Sequence, residues 1–201
     1  MAEQTLRLVC TSVLPGDEPG LRGIRRLFTD YNEYLLTVGC DVALFQGFEL
    51  ELAALPGKYS PEANGMLVLC SVADAATCSS DSSAPILATL ELDASNLSGS
   101  AALTAGEPVA CIALRSLEEA GVGELKRMFI SAAGRRQGLG ESLSKLIMSG
   151  ARARGYSKLR LDTLERLPAA VALYEHKLGF RRIGAYCHNP LPDALYFEIN
   201  L

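Results

Sequence analysis

The chain has 201 residues, a formal net charge of −4 and a hydrophobic fraction of 49%. This length supports one domain with a full hydrophobic core, and the isoelectric point of about 5.3 argues against nucleic acid as a partner. No apolar run reaches transmembrane length, and the first residues are too polar and too few for a secretory signal. We therefore expect no membrane association.

The cysteines are scattered, without C-x-x-C pairs or neighbouring histidines, at Cys10, Cys40, Cys70, Cys78, Cys111 and Cys187. Most lie among apolar residues, which predicts buried free thiols rather than disulfides or zinc ligands. A reduced, cytoplasmic location fits this pattern, and no metal site is predicted.

The first part of the chain alternates strand and helix signals. Thr5–Val9 is typical of a strand, and apolar residues then recur at helical spacing from Ile24 to Leu36. A second helix is predicted over Gly47–Ala54, where Leu55-Pro-Gly57 ends it. Met66–Cys70 is predicted as the next strand.

Residues 73–107 differ from the rest in composition. They are rich in Ala, Ser and Asp, and no Lys or Arg occurs between Tyr59 and Leu114. Ile86–Leu92 is predicted as an extra strand between flexible loops. We interpret 73–107 as an insertion within a single domain spanning 1–201, and a tolerated surface loop is favoured over a regulatory element.

The most informative stretch follows a predicted hairpin of Pro108–Leu114 and Gly123–Ile130. The second strand leads into an Arg-x-x-Gly-x-Gly turn, formed by Arg135, Gly138 and Gly140, and an amphipathic helix follows at once. Glycines allow backbone amides to approach an anion closely, and a helix N-terminus adds partial positive charge. The turn therefore predicts a phosphate cradle, with a solvated strand–helix turn as the alternative.

The segment after this helix contains three further elements. Gly155 is placed to end the helix, and Lys158–Leu164 alternates as a half-exposed strand does. A helix begins with Pro168 in its first turn and closes at Leu178-Gly-Phe180. Ala194–Leu201 is predicted as the last strand.

From about Val109 to Leu201, these motifs together resemble the GCN5-related N-acetyltransferase (GNAT) superfamily. The matching pieces are Met128-Phe-Ile130, the Arg-x-x-Gly-x-Gly turn, Leu-Arg-Leu-Asp-Thr, and Ala-Leu-Tyr174 with Leu-Gly-Phe180. The resemblance implies an α/β (α+β) fold, in which helices flank a mixed, mostly antiparallel central sheet of six to seven strands in three layers. It implies acetyl-CoA as co-substrate, held by Met128, Phe129, Ile130, Arg135, Arg136, Gln137, Gly138, Leu139, Gly140 and Glu141. Family members often pair through their C-terminal strands, so a homodimer is also expected.

The resemblance also implies direct attack of an amine on the thioester. It assigns the Ile130 N–H to the developing oxyanion, Tyr174 to the departing thiolate and Asp162 to a base. The residues leave alternatives open, since Tyr174 fits a packed helix position and Asp162 fits a salt bridge to a neighbouring Lys or Arg. Leu167 stands where many relatives have an Asn that touches the coenzyme. Gly179 lies five positions after Tyr174, rather than the four that are common in relatives, and a π-bulge would absorb the extra residue.

Acceptor recognition is predicted from the remaining polar residues. Glu33 and Glu51 fall in the predicted helices, and helical spacing would place Glu51 beside Tyr59 across the Leu55-Pro-Gly57 turn. His188 lies in the loop before the last strand. Surface charges and a turn residue are the alternative readings. We expect acetylation of a small-molecule amine or amino acid, with a protein N-terminus or lysine, or a non-catalytic acyl-CoA-binding module, as alternatives.

Overall fold

The computed structural model describes residues 6–41, 47–74, 85–91 and 103–201. Within these ranges eight strands form one sheet in the order β3-β1-β2-β4-β5-β6-β8-β7, and β5–β6 is the parallel pair. The strands are β1 (Leu6–Ser12), β2 (Met66–Asp74), β3 (Ile86–Glu91), β4 (Pro108–Ser116), β5 (Val122–Ile130), β6 (Lys158–Leu164), β7 (Arg181–Ile183) and β8 (Ala194–Asn200).

Among the described residues, four helices pack on the two faces of this sheet. They are α1 (Glu18–Thr37), α2 (Phe48–Ala53), α3 (Leu139–Ala153) and α4 (Pro168–Ala172), which continues as a π-helical turn over Leu173–Lys177. The apolar faces of α3 and α4 share one core with the sheet, and α1 and α2 share a second core on the opposite face. This arrangement confirms the predicted three-layer fold with a mostly antiparallel central sheet.

The sheet has one or two more strands than the sequence predicts, and both edges contribute to the difference. The predicted extra strand in the insertion is present as β3, which pairs antiparallel with β1 at one edge. The other edge is β7, a strand of three residues that is too short for an alternation pattern to reveal. Residues 75–84 and 92–102 of the insertion lie outside the described residues.

The helix ends near the site follow the sequence signals. Pro168 is the first residue of α4, Gly155 follows α3 with a φ of +83°, and Gly179 follows the π-helical turn with a φ of +75°. The π-helical turn absorbs the extra residue between Tyr174 and Gly179, as the spacing predicts.

Cysteine burial also agrees with the sequence. Cys10, Cys40, Cys70 and Cys111 are buried free thiols and Cys187 is half-buried, whereas Cys78 lies outside the described residues. Burial raises the pKa of Cys111 to about 12, which keeps it an unreactive thiol. Among the residues that the structure describes, no helix is both long and apolar enough to cross a bilayer.

Candidate active site

A cavity of about 490 Å³ opens where the parallel strands β5 and β6 separate. The two strands pair only over Val122–Glu124 and Lys158–Arg160. Beyond that point β5 continues to Ile130 and β6 to Leu164, and both line the cavity. Because amides in a strand alternate between its two edges, some amides of Leu125–Ile130 face the cavity rather than another strand. This geometry makes hydrogen-bond donors available to a ligand.

A β-bulge interrupts β5 at the cavity. Ala113 on β4 lies opposite Lys126, and Cys111 lies opposite Phe129, so two residues of β5 occupy the place of one. Arg127 adopts a left-handed φ of +54° within the bulge. The bulge redirects the strand segment that carries Met128, Phe129 and Ile130, all of which line the cavity.

The predicted phosphate cradle lies at one end of the cavity. Helix α3 begins at Leu139, and its first helical hydrogen bond runs from the Ser142 N–H to the Gly138 carbonyl, so the amides of the three intervening residues point out of the helix end. Gly138 has a φ of +72°, and a Cβ built there would contact nothing within 4 Å. The space beside it is therefore open to an anion.

The other predicted cradle residues lie around the start of α3, where the side chain of Leu139 is buried in the core. Arg135 and Gly140 line the cavity, and the Arg135 guanidinium lies 5.4 Å from the ring centre of Tyr34 on α1. Arg136 has a φ of +62°, which helps turn the chain towards the helix. Exposed guanidinium groups beside a helix N-terminus favour a diphosphate.

Tyr174 lies in the π-helical turn and lines the cavity. Its ring packs against Phe180 and Phe197, with centroids 5.8 Å and 6.4 Å away. Its hydroxyl has a weak partner, the Met128 Sδ at 3.9 Å. Burial raises the pKa of Tyr174, so the phenol stays protonated and can donate to a stronger acceptor.

Asp162 lies on β6 and reaches the cavity from the opposite strand. Its carboxylate accepts from Lys126 Nζ at 3.0 Å and from Asn189 Nδ2 at 2.9 Å. Burial alone would raise the pKa of Asp162, but the Lys126 charge and these hydrogen bonds outweigh it and lower the pKa below its usual value. The salt bridge that the sequence left as an alternative is present. A carboxylate of this kind binds an ammonium well and is a poor proton acceptor.

Glu124 and Cys187 complete a polar cluster with Asp162. One carboxylate oxygen of each acid and the Sγ of Cys187 all lie within 4.8 Å of one another. Lys126 Nζ is 3.9 Å from Glu124, which also accepts hydrogen bonds from Tyr186 and Arg115. The ammonium group of Lys126 therefore already supplies a positive charge to this cluster.

Glu51 and Tyr59 are adjacent, as helical spacing predicts, but neither lines the cavity. The Tyr59 hydroxyl donates to Glu51 at 2.9 Å, and Arg127 makes a two-pronged ion pair with the same carboxylate at 2.6 Å and 3.2 Å. Lys58 adds a third cationic contact. These contacts connect α2 to the bulge of β5. Glu51 can influence the cavity only by positioning Arg127, which lines it.

The two other predicted acceptor-binding residues, Glu33 and His188, are exposed and do not line the cavity. Residues that the sequence reading gave no role do line it, notably Lys126, Arg166 and Asn189. Asn189 directly follows His188, so the predicted loop is near the cavity through a different side chain. The signal that was missed is the Asn-Pro pair, which is typical of a turn.

The comparisons with known proteins agree with this geometry. The Acetyltransferase (GNAT) family matches residues 71–180, which is more than half of the chain. The chain belongs to this family.

Individual relatives match over shorter regions. An uncharacterised N-acetyltransferase of Schizosaccharomyces pombe is 34% identical over 96 residues, which cover 48% of this chain and 58% of that protein. An N-acetylaspartate synthetase of Xenopus tropicalis is 34% identical over 105 residues, covering 49% of this chain and 38% of that protein. The chain therefore matches less than two thirds of the length of each of these relatives.

Solved structures agree over nearly the whole chain. An acetyltransferase of the GNAT family from Staphylococcus aureus has a TM-score of 0.63 at 15% identity, covering 96% of this chain and 98% of its own. An acetyltransferase from Streptococcus agalactiae has the same TM-score at 17% identity, with the same coverage. At such identities the likeness concerns the fold.

Proposed function

We propose that the protein transfers an acetyl group from acetyl-CoA directly to a primary amine of a small molecule or amino acid. The observation that carries this proposal is the continuity of the cavity. It runs from the Arg135–Gly140 cradle along the separated strands to the Asp162 cluster, with Tyr174 lining it. The open space beside Gly138 and the outward amides of α3 suit the diphosphate of coenzyme A.

Three chemical tasks fall to named residues. The Ile130 N–H would donate to the carbonyl oxygen of the thioester as negative charge develops there. The Tyr174 hydroxyl would donate to the departing sulfur, in exchange for its weak contact with Met128. Asp162 would bind the acceptor ammonium near the thioester, and water would take one proton from it before the neutral amine attacks, because the lowered pKa of Asp162 makes this carboxylate a poor base.

The relatives support an amino acid as the acceptor. One of them is named an N-acetylaspartate synthetase, and its matched region covers 49% of this chain. A protein N-terminus or a lysine side chain is the alternative acceptor. The homodimer and the cytoplasmic location remain predictions.

The test begins with isothermal titration of acetyl-CoA into the protein and into Gly138→Glu. The added carboxylate would occupy the open space beside the cradle and repel phosphate. We therefore expect the affinity for acetyl-CoA to fall by at least about tenfold. Gly155→Glu is the matched control, because Gly155 also has a positive φ and open space but lies at the other end of α3. It should bind acetyl-CoA like the unaltered protein.

Release of coenzyme A with a panel of amines, amino acids and peptides then tests turnover. Release of coenzyme A with amino acids or small amines supports the proposal. Release with peptides alone would instead identify the acceptor as a protein N-terminus or lysine. Binding of acetyl-CoA without release on any acceptor would favour a non-catalytic module. Absence of acetyl-CoA binding would overturn the proposed function.

A further inference from the structure

The charges around the cavity are unevenly distributed. Four cationic side chains line it, namely Lys126, Arg127, Arg135 and Arg166. Asp162 is the one acidic side chain among the described residues that line it. An acceptor that enters the cavity therefore meets one carboxylate and several cationic groups, whose availability depends on their other partners.

Two of the four cations are bound to acids outside the cavity. Arg127 pairs with Glu51, and Arg166 pairs with Asp193 at 2.7 Å while also donating to the carbonyl of Val38. Both guanidinium groups are therefore neutralised and positioned by acids that do not line the cavity. Arg135 lies at the cradle end, where its guanidinium would face the phosphates of the coenzyme.

Lys126 differs, because its partner Asp162 also lines the cavity. The ammonium and carboxylate are 3.0 Å apart, and their side chains are only 12% and 8% exposed. The ammonium of Lys126 has three N–H donors. One is directed to Asp162 and a second to the more distant Glu124, which leaves one donor for a ligand. One oxygen of Asp162 accepts from Lys126 and the other from Asn189, and the carboxylate also accepts from its own backbone N–H. Because a carboxylate has about four acceptor positions, Asp162 can still accept from a ligand. The pair thus presents one donor and one acceptor of opposite charge side by side.

We propose that Lys126 and Asp162 together recognise an acceptor that carries a carboxylate beside its amine, so that free amino acids are preferred to amines without a carboxylate. This inference rests on the proposed function and narrows its acceptor class. The ammonium of the acceptor binds Asp162, and its carboxylate accepts from Lys126. An amine that lacks the carboxylate makes only the first contact.

The experiment uses matched acceptors at saturating acetyl-CoA. Each common L-amino acid is compared with its α-carboxamide and its decarboxylated amine, with rates expressed per neutral amine. Because a buried contact between charged groups is lost, kcat/KM should be about 10- to 100-fold higher for the free acid. The variant Lys126→Gln should bring this ratio close to one and leave acetyl-CoA affinity unchanged. Lys158→Gln is the control, since Lys158 also faces a carboxylate, Glu198 at 3.9 Å, but lies outside the cavity.

The ratio separates recognition from a structural role, because loss of folded protein lowers all three rates equally. Equal rates for acids, carboxamides and decarboxylated amines would overturn the inference and leave the acetyltransferase function intact. An unchanged ratio in Lys126→Gln would likewise overturn the role of this pair. If acetyl-CoA itself fails to bind, the proposed function fails first and the inference falls with it.

Discussion

Replacing Glu51 by Gln tests whether the ion pair between α2 and the bulge of β5 stabilises the fold. Glu51 is buried, with its side chain 5% exposed, and it contacts Arg127, Lys58 and Tyr59. Gln keeps the shape of the side chain but removes its charge. The guanidinium of Arg127, whose side chain is 3% exposed, then stays buried without a counter-charge.

The magnitude follows from the pKa of Glu51. Burial alone would raise this pKa, but the hydrogen bonds and charges of Arg127 and Lys58 lower it from 4.5 to about 2. A shift of this size corresponds to about 3 kcal/mol of stability at neutral pH. The cost of breaking a buried ion pair, about 3–5 kcal/mol, is of the same order.

The pH dependence has a definite sign. Because the folded-state pKa lies below the ordinary one, this stabilisation is fully present above about pH 4.5 and is lost as the pH falls towards 2. The variant has no titrating group at this position. The difference in unfolding free energy between the two proteins should therefore shrink as the pH is lowered from 5.

The difference in unfolding free energy is measured by urea unfolding at pH 7, 5, 4 and 3.5, and the difference in Tm by thermal unfolding at pH 7. About 3 kcal/mol should lower the Tm by about 6–12 °C for a chain of this size. Glu49→Gln is the control, because Glu49 is exposed on the same helix, and it should change stability by less than about 0.5 kcal/mol. A loss below about 1 kcal/mol in Glu51→Gln, or a loss that stays constant down to pH 3.5, would refute the reasoning.

Two further predictions concern the reacting groups. Tyr174→Phe should lower kcat about 10- to 100-fold, as measured by steady-state kinetics. Titration and thermal unfolding should show nearly constant acetyl-CoA affinity and Tm, because the hydroxyl loses only a weak contact with Met128 at 3.9 Å. A large loss of Tm would contradict it. Asp162→Asn should lower kcat/KM for the acceptor at least about tenfold but keep its rise from pH 6 to 9, because the lowered pKa of Asp162 lies below that range. A rise that disappears in this variant would instead identify Asp162 as the base.

Local patterns in the sequence predict the elements that depend on neighbouring residues. The turn with Gly138 and the start of α4 at Pro168 are confirmed, since backbone freedom and ring geometry act within a few residues. The π-helical turn is also predicted, because it follows from counting residues between Tyr174 and Gly179.

Contacts between distant segments are not written in such patterns. Glu51 and Arg127 are 76 residues apart in the sequence, and Asn189 reaches Asp162 across 27 residues. In a helix as short as α2, the sequence does not distinguish an exposed acid from a buried ion-pair partner, so the role in acceptor binding that it predicts for Glu51 does not include the pair with Arg127. The alternation of β5 predicts only a strand position for Lys126, because the separation of β5 from β6 is what brings it to the cavity.

Three departures from regular structure meet at one place. The bulge at Arg127, the separation of β5 from β6, and the π-helical turn at Leu173–Lys177 all border the same cavity. Each is unfavourable by itself, since it loses regular hydrogen bonds or holds a residue at positive φ. Regular versions would pair the free edge of β5 and rotate Tyr174 away from Met128. Glu51 pairs with Arg127 and Phe180 packs against Tyr174, and neither Glu51 nor Phe180 lines the cavity. Contacts made outside the cavity therefore help to maintain its shape.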